Sequence, residues 1–253
     1  MKFTFLGTGT SQGVPVITCH CKVCQSINKK DKRTRSSLLI QSDKTTIVID
    51  TGPDFRYQML RTKVEDLDAI VYTHGHKDHV AGLDDIRPFN YRLNKTISVY
   101  AESLVQDVLR REFAYIFAEN KYPGVPQIDV HTIDEKVFAV QDIHFIPIRA
   151  MHKDMPVLGF RVGGFTYITD ANFIAESELE KIKGTEVLVL NALRREPHYS
   201  HFSLSEAIEL AQKIKAKQTY FTHISHHLGL YQEVNQELPE NIQLAYDGLT
   251  IDL

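Results

Sequence analysis

The 253-residue chain has no apolar stretch approaching the roughly 20 residues needed to cross a bilayer, which excludes a membrane-spanning helix. Its opening, Met1-Lys-Phe-Thr-Phe-Leu-Gly7, is too short in apolar length for a secretory leader and passes straight into glycine-rich sequence. A soluble, cytoplasmic protein is therefore expected. Excess charge of one sign is also missing: the formal net charge is -3, which argues against a broad electrostatic footprint for nucleic acid. Cysteine is scarce. The three that occur, Cys19, Cys21 and Cys24, share one loop, and an odd, clustered set is poor disulfide material and good metal material. A complete phosphate-binding loop is absent too. Gly7-Thr-Gly-Thr-Ser-Gln-Gly13 lacks the Gly-Lys-Ser/Thr ending of a P-loop and the full dinucleotide fingerprint, so it reads as a tight turn that brings backbone close to a site. No linker, low-complexity segment or convincing repeat divides the chain. Its length suffices for a large core without staples, so one domain over residues 1–253 is expected.

What stands out is His74-Gly75-His76-Lys77-Asp78-His79, directly after the β-branched and aromatic run Asp68-Ala-Ile-Val-Tyr-Thr73. That run reads as a buried strand, which places the cluster where the chain leaves a sheet. Imidazole and carboxylate are the donors that borderline divalent metals favour. Adjacent Asp78 and His79 cannot easily join both earlier histidines around one ion, so two ions are expected. Further donors stand at the ends of later predicted strands: His152 after Ile146–Met151, Asp170 after Phe165–Thr169, and His223 after Thr219–Thr222.

The remaining pattern is rich in strands. They are predicted at 2–6, 37–42, 45–50, 96–101, 128–133, 136–149, 157–162, 165–169, 186–191, 217–222 and 243–251, the last carrying an Asp247-Gly248 turn signal. Helices are predicted at about 55–62, over 102–118 from one apolar face, and over 203–215, opened by the capping box Ser203-Leu-Ser-Glu206. Two packed sheets covered by helices follow from this order. The basic run Lys29-Lys-Asp-Lys-Arg-Thr-Arg35 has two readings, a solvated loop or a rim that attracts an anionic substrate.

Three thiolates are one donor short of a closed tetrahedral zinc site. His223-Ile-Ser-His226-His227 offers the fourth, with His226 preferred and His227 the alternative. Such a site would be structural, pinning the N-terminal loop against the histidine cluster.

The order His-x-His-x-Asp-His, then a distal His, a strand-end Asp and a last His, resembles the metallo-β-lactamase-fold hydrolases. The resemblance implies an α+β fold, a four-layer αββα sandwich, with a dinuclear site of two divalent ions, zinc or manganese, at one edge of its sheets. One ion would take His74, His76 and His152, the other Asp78, His79 and His223, with Asp170 bridging. Asp50 would orient the histidine loop. Together with the glycine-rich turn and Gly82-Leu-Asp-Asp85, the cysteine loop resembles a narrower group, the cyclic-phosphate phosphodiesterases associated with phosphonate breakdown. These are similar in pairing the dinuclear site with one structural zinc. That implies hydrolysis of a small cyclic ribosyl or nucleoside phosphodiester by water activated between the ions, and a homodimer. His201, just before the capped helix and not needed as a ligand, is similar to the histidine that phosphodiesterase relatives place near the leaving group. It is assigned as general acid or phosphate stabiliser, with His198 in reserve.

Two other activities share the metal pattern. A tRNA 3′-processing endonuclease would want a basic protruding arm between Asp170 and His223, where the sequence has only a short interval. A thiolester or lactone hydrolase is the second. A non-enzymatic metal-binding or oxidoreduction module is a third class; the oxygen-handling relatives need a flavin domain, and none follows within the sequence.

Overall fold

A computed structural model describes all residues, 1–253. The first sheet is built from β1 (Lys2–Gly7), β2 (Ser37–Gln41), β3 (Thr46–Ile49), β4 (Ala69–Val71), β5 (Ile97–Ala101) and β6 (Ile128–Thr132). The second takes β7 (Phe138–Val140), β8 (Ile143–His152), β9 (Met155–Val162), β10 (Phe165–Tyr167), β11 (Phe173–Ile174), β12 (Val187–Asn191), β13 (Gln218–Thr222) and β14 (Ile242–Leu244). The last strand, β15 (Thr250–Asp252), returns to the first sheet and pairs antiparallel with β1, giving the order β15-β1-β2-β3-β4-β5-β6.

Three apolar layers hold this together. Between the sheets, Phe3, Phe5, Leu38 and Ile47 of the first meet Phe145, Phe160, Phe165 and Val189 of the second, all buried. Outside the first sheet, helices α1 (Phe55–Thr62), α2 (Arg87–Leu93) and α3 (Ser103–Glu112) bury Phe55, Met59, Phe89, Val105 and Leu109 against Val48, Ile70 and Val99. Outside the second, α4 (Glu176–Ile182), α5 (Leu204–Ile214) and α6 (Tyr231–Glu237) bury Ile182, Leu204, Ala207, Ala211 and Val234 against Leu188, Leu190 and Phe221. The architecture is the expected αββα sandwich. Each central strand is apolar on both faces because it is covered on both.

Several boundaries differ from the sequence pattern for local reasons. The run predicted as one strand over 136–149 is a hairpin, β7 and β8, reversed at Gln141, which takes φ 52°. The run 243–251 is two strands in different sheets, because Asp247-Gly248 carries the chain across rather than back on itself. The predicted helix over 102–118 breaks at Phe113, which leaves helical geometry (φ -121°, ψ 42°), with a further turn at Ala114–Phe117. The capping box of α5 forms as predicted: the Glu206 carboxylate accepts from the Ser203 backbone N–H at 2.8 Å, and Ser203 Oγ accepts from the Glu206 N–H.

The basic run is neither a solvated loop nor a rim. Arg33 is buried and donates to Thr8 Oγ1 at 2.8 Å and to the Ala245 carbonyl at 2.6 Å. Arg35 pairs with Asp54 at 3.1 Å, Lys32 donates to the Cys24 carbonyl at 3.0 Å, and the Lys30 ammonium lies over the rings of Tyr231 and Tyr246. The run ties the cysteine loop to the end of the chain. The glycine-rich turn does what a tight turn should: a Cβ on Gly9 would sit 2.9 Å from the Arg33 Cβ, and the flanking Thr8 carbonyl accepts from Ile224 N–H at 2.9 Å, next to His223.

Candidate metal centre

The candidate ligands lie at strand ends or just beyond them, except Asp78 and His79, which sit in a single helical turn, Lys77–Val80. Asp50 follows β3, His74 and His76 follow β4, His152 ends β8, and His223 follows β13. Asp170 lies between β10 and β11. Asp50, Asp170 and His223 have left-handed backbones, with φ of 62°, 54° and 54°. None is a glycine, and each local cost is of the kind that surrounding structure sustains at functional sites. Gly52 is required by closeness: a Cβ there would lie 2.1 Å from the Asp78 carbonyl.

The hydrogen bonds assign the ring nitrogens. The Asp50 carboxylate accepts from Thr73 N–H at 2.9 Å, from Thr73 Oγ1 at 2.7 Å and from His79 Nδ1 at 2.7 Å. Since the Thr73 hydroxyl donates to Asp50, its oxygen accepts from His74 Nδ1 at 2.9 Å. His152 Nδ1 donates to the Ser200 carbonyl at 2.7 Å. In each ring the Nδ1 proton is committed and Nε2 is left as a lone-pair donor, the arrangement metal-binding histidines use.

The freed nitrogens of His79 and His74 face Asp170, together with nitrogens of His223 and His201. Asp170 Oδ1 lies 3.3 Å from His79 Nε2 and 2.9 Å from His223 Nδ1, which also lies 3.2 Å from Ser36 Oγ. Its Oδ2 lies 3.3 Å from His201 Nε2 and 3.8 Å from His74 Nε2. Donor atoms of Asp78, His79, Asp170 and His223 lie within 4.8 Å of one another. Those of His74, His76 and Asp170 do likewise, as do those of His152, Asp170 and His201. The His152 donor atom thus groups with Asp170 and His201 and not with His74 and His76, although its ring adjoins that of His76, with centroids 5.0 Å apart.

The residues fit a divalent cation on two counts. His74 Nε2 and His79 Nε2 are fully buried and have no hydrogen-bond partner, a costly condition that a metal bond would relieve. Burial opposes charge on His79, yet Asp170, Asp78 and Asp50 together hold its pKa well above the ordinary histidine value. That is a measure of the negative field a cation would meet there. Burial also opposes charge on Asp170, but His223 and His79 outweigh it and keep the carboxyl well below its usual range. Burial lowers His74 strongly and His152 to about 4, so both rings stay neutral and able to ligate near pH 7.

At the cysteine loop, His226 Nδ1 lies 3.3 Å from Cys19 Sγ, 3.3 Å from Cys21 Sγ and 3.5 Å from Cys24 Sγ. Tetrahedral zinc with ordinary Zn–S and Zn–N lengths puts sulfur and nitrogen about 3.6 Å apart, so the set has the size of a zinc shell. The donor atoms lie within 4.8 Å of one another, and it is His226, not His227, that joins them. Burial works against the Cys21 thiolate, but hydrogen bonds from the Cys24 N–H and His226 lower its pKa to about 6; burial pushes Cys24 up to about 11.

Sequence reasoning missed the supporting partners. Thr73 directly precedes His74 and its hydroxyl was a visible signal; the Ser200 carbonyl and Ser36 hydroxyl gave none.

The beta-lactamase superfamily domain family matches residues 45–224. A solved PhnP-family diphosphatase is 41% identical, with a TM-score of 0.93, over 100% of this chain and 97% of that one. Zinc-bound PqqB from Methylobacterium extorquens superposes with a TM-score of 0.78 at 19% identity over the full length of both chains, a likeness of fold alone. Among curated proteins, one named octanoyltransferase from Porphyromonas gingivalis is 42% identical over 252 residues, 98% of this chain and 51% of that protein. The chain spans about half the length of curated relatives it matches. On the family match and the shared architecture, the chain belongs to the beta-lactamase superfamily domain family and has the metallo-β-lactamase fold.

Proposed function

We propose that the protein is a dinuclear metal-dependent phosphodiesterase acting on a small phosphodiester, cyclic ribosyl or nucleoside in kind. The observation that carries this is the orientation of Asp170, whose Oδ1 faces His79 and His223 while its Oδ2 faces His74 and His201. One carboxylate between two donor sets is what a bridging ligand requires. His74, His76 and His152 would hold one ion and Asp78, His79 and His223 the other, zinc or manganese by donor type. Cys19, Cys21, Cys24 and His226 would hold a structural zinc. Two divalent ions so held would supply Lewis-acid charge for a phosphoryl oxygen and make a water acidic enough to attack near neutral pH.

The chain's own groups then have defined work. Asp50, Thr73 and the Ser200 carbonyl fix the tautomers of three histidines before any ligand arrives. His201 is nine-tenths buried and points Nε2 at Asp170, into the site. Burial lowers its pKa below the ordinary histidine value. A largely neutral ring favours the stabilising role, with a ring N–H donated to a phosphoryl or leaving oxygen, over a standing imidazolium acid.

Full-length similarity to a PhnP-family diphosphatase supports a phosphorus-centred substrate over a thiolester or lactone. The interval from Asp170 to His223 holds β11, α4, β12, α5 and β13 joined by short connections and the loop 192–203, which disfavours the long basic arm wanted for tRNA. Octanoyl transfer, the activity in one relative's name, is attached to a protein about twice the matched length.

The test is metal analysis of the purified protein together with turnover of bis-p-nitrophenyl phosphate and a panel of cyclic phosphodiesters, with and without chelator. Two divalent ions beyond one zinc per chain, and chelator-sensitive diester hydrolysis without tRNA trimming, are expected. Turnover of thiolesters or lactones with no diester hydrolysis would overturn the reading.

A further inference from the structure

Beside the metal edge lies a cavity of about 290 Å³, lined by His76, His152, Lys153, Asp154, Met155, Tyr199 and Ser200. Lys153, Met155 and Tyr199 have no part in the chemistry above. Tyr199 leaves 71% of its surface exposed although it sits directly before Ser200, whose carbonyl holds His152. Lys153 directly follows His152, in the two-residue turn between β8 and β9, and takes φ 58°. That left-handed conformation suits glycine or asparagine better than lysine.

The two residues are held in place by one side chain. The Asn172 carbonyl oxygen accepts from the Lys153 backbone N–H at 2.7 Å, and its amide donates to the Tyr199 carbonyl at 3.3 Å. The ring of Tyr199 leans on that of His198, with centroids 4.5 Å apart, and the Lys153 ammonium sits 5.8 Å from the Tyr199 ring centre. The one acidic partner of Lys153 is Asp154 at 3.6 Å, and both side chains are largely exposed, so the pair is weak and the ammonium is available. A phosphorus-directed site is thus flanked by a flat aromatic face and a cation, both on fixed backbone.

We propose that Tyr199 and Lys153 form a subsite for the nucleoside part of the substrate, the base stacking on the Tyr199 ring and the ammonium meeting phosphate oxygens. The proposal rests on the phosphodiesterase reading and narrows it to nucleoside phosphodiesters. The cavity has room for one nucleoside beside the metal edge. Stacking on aromatic side chains is tolerant of base identity, so discrimination among bases should be slight.

The test is equilibrium binding of AMP and of inorganic phosphate to the metal-loaded protein by calorimetry. Wild type should bind AMP at least about tenfold more tightly than phosphate. Tyr199→Ala should remove that difference, weakening AMP about tenfold and leaving phosphate within twofold. Tyr199→Phe should keep AMP binding. Lys153→Asn, compatible with the left-handed turn, should weaken both ligands severalfold, less so at high salt. Equal affinity of wild type for AMP and phosphate, or full AMP affinity in Tyr199→Ala, overturns the subsite. These readouts are independent of turnover. AMP discrimination that depends on Tyr199, with no diester hydrolysis, would retain the subsite and overturn the phosphodiesterase. Hydrolysis without AMP discrimination would do the reverse.

Discussion

His79 Nδ1 lies 2.7 Å from Asp50 Oδ2, and both side chains are fully buried. The same carboxylate accepts from the backbone and the hydroxyl of Thr73, which in turn holds His74. One buried acid thus orients two histidines of the cluster from behind. Asp50→Asn keeps the volume but places an amide against His79 Nδ1–H. The expected result is a 10- to 100-fold loss of affinity at the dinuclear site, read by metal competition, with the cysteine-bound zinc retained. Unchanged affinity would mean that the loop holds its rings without Asp50.

The cysteine site gives a prediction with an internal control. His226 reaches all three sulfurs and His227, the next residue, belongs to no such group. Cys21→Ser and His226→Ala should each lower zinc content by about one ion per chain and reduce the melting temperature, because the loop from Val14 to Cys24 has only a small apolar cluster of its own. His227→Ala should do neither. If His226→Ala retains full zinc, another donor closes the shell.

These two predictions also mark what the sequence could convey. The ligands were legible because β-branched runs announced strands and the polar residues ending those runs were histidine and aspartate. The choice between His226 and His227 was not, since it depends on a loop about 200 residues away. Gln141 turns the chain without glycine or asparagine, so the reversal inside the run 136–149 was missed, whereas the turn at Lys153 falls in the predicted gap between 149 and 157. The crossing at Asp247-Gly248 looked like a hairpin because the same turn residues serve both. The charge run 29–35 misled because its arginines are satisfied by distant partners, Ala245 for Arg33 and Asp54 for Arg35.

The stacking of the two sheets can be probed at one contact. Phe3 of β1 and Phe165 of β10 stack with ring centres 4.0 Å apart and planes within 7°, both essentially without exposure. They join opposite sheets, and Phe165 opens the strand that leads toward Asp170. Phe165→Ala should cost about 3–5 kcal/mol in denaturant unfolding while leaving metal content unchanged. A loss under about 1 kcal/mol would show that the sheets collapse over the gap.

His201 decides between two kinds of participation. Its Nε2 is 3.3 Å from Asp170 Oδ2 and its ring lies 4.5 Å from that of His152, close enough for it to ligate if an ion moved toward it. Its Nδ1, however, faces Ser200 Oγ at 3.1 Å and His198 Nδ1 at 3.3 Å, the setting of a ring held for hydrogen bonding. The six other histidine and aspartate donors grouped around Asp170 already suffice for two ions. His201→Ala should therefore keep both ions and slow diester turnover about 100-fold, the ordinary scale for losing a positioned proton donor. Most of that loss should fall on kcat, because the hydrogen bond matters most as charge develops on the leaving oxygen. Loss of an ion from the variant would make His201 a ligand, and an unchanged rate would remove it from the reaction altogether.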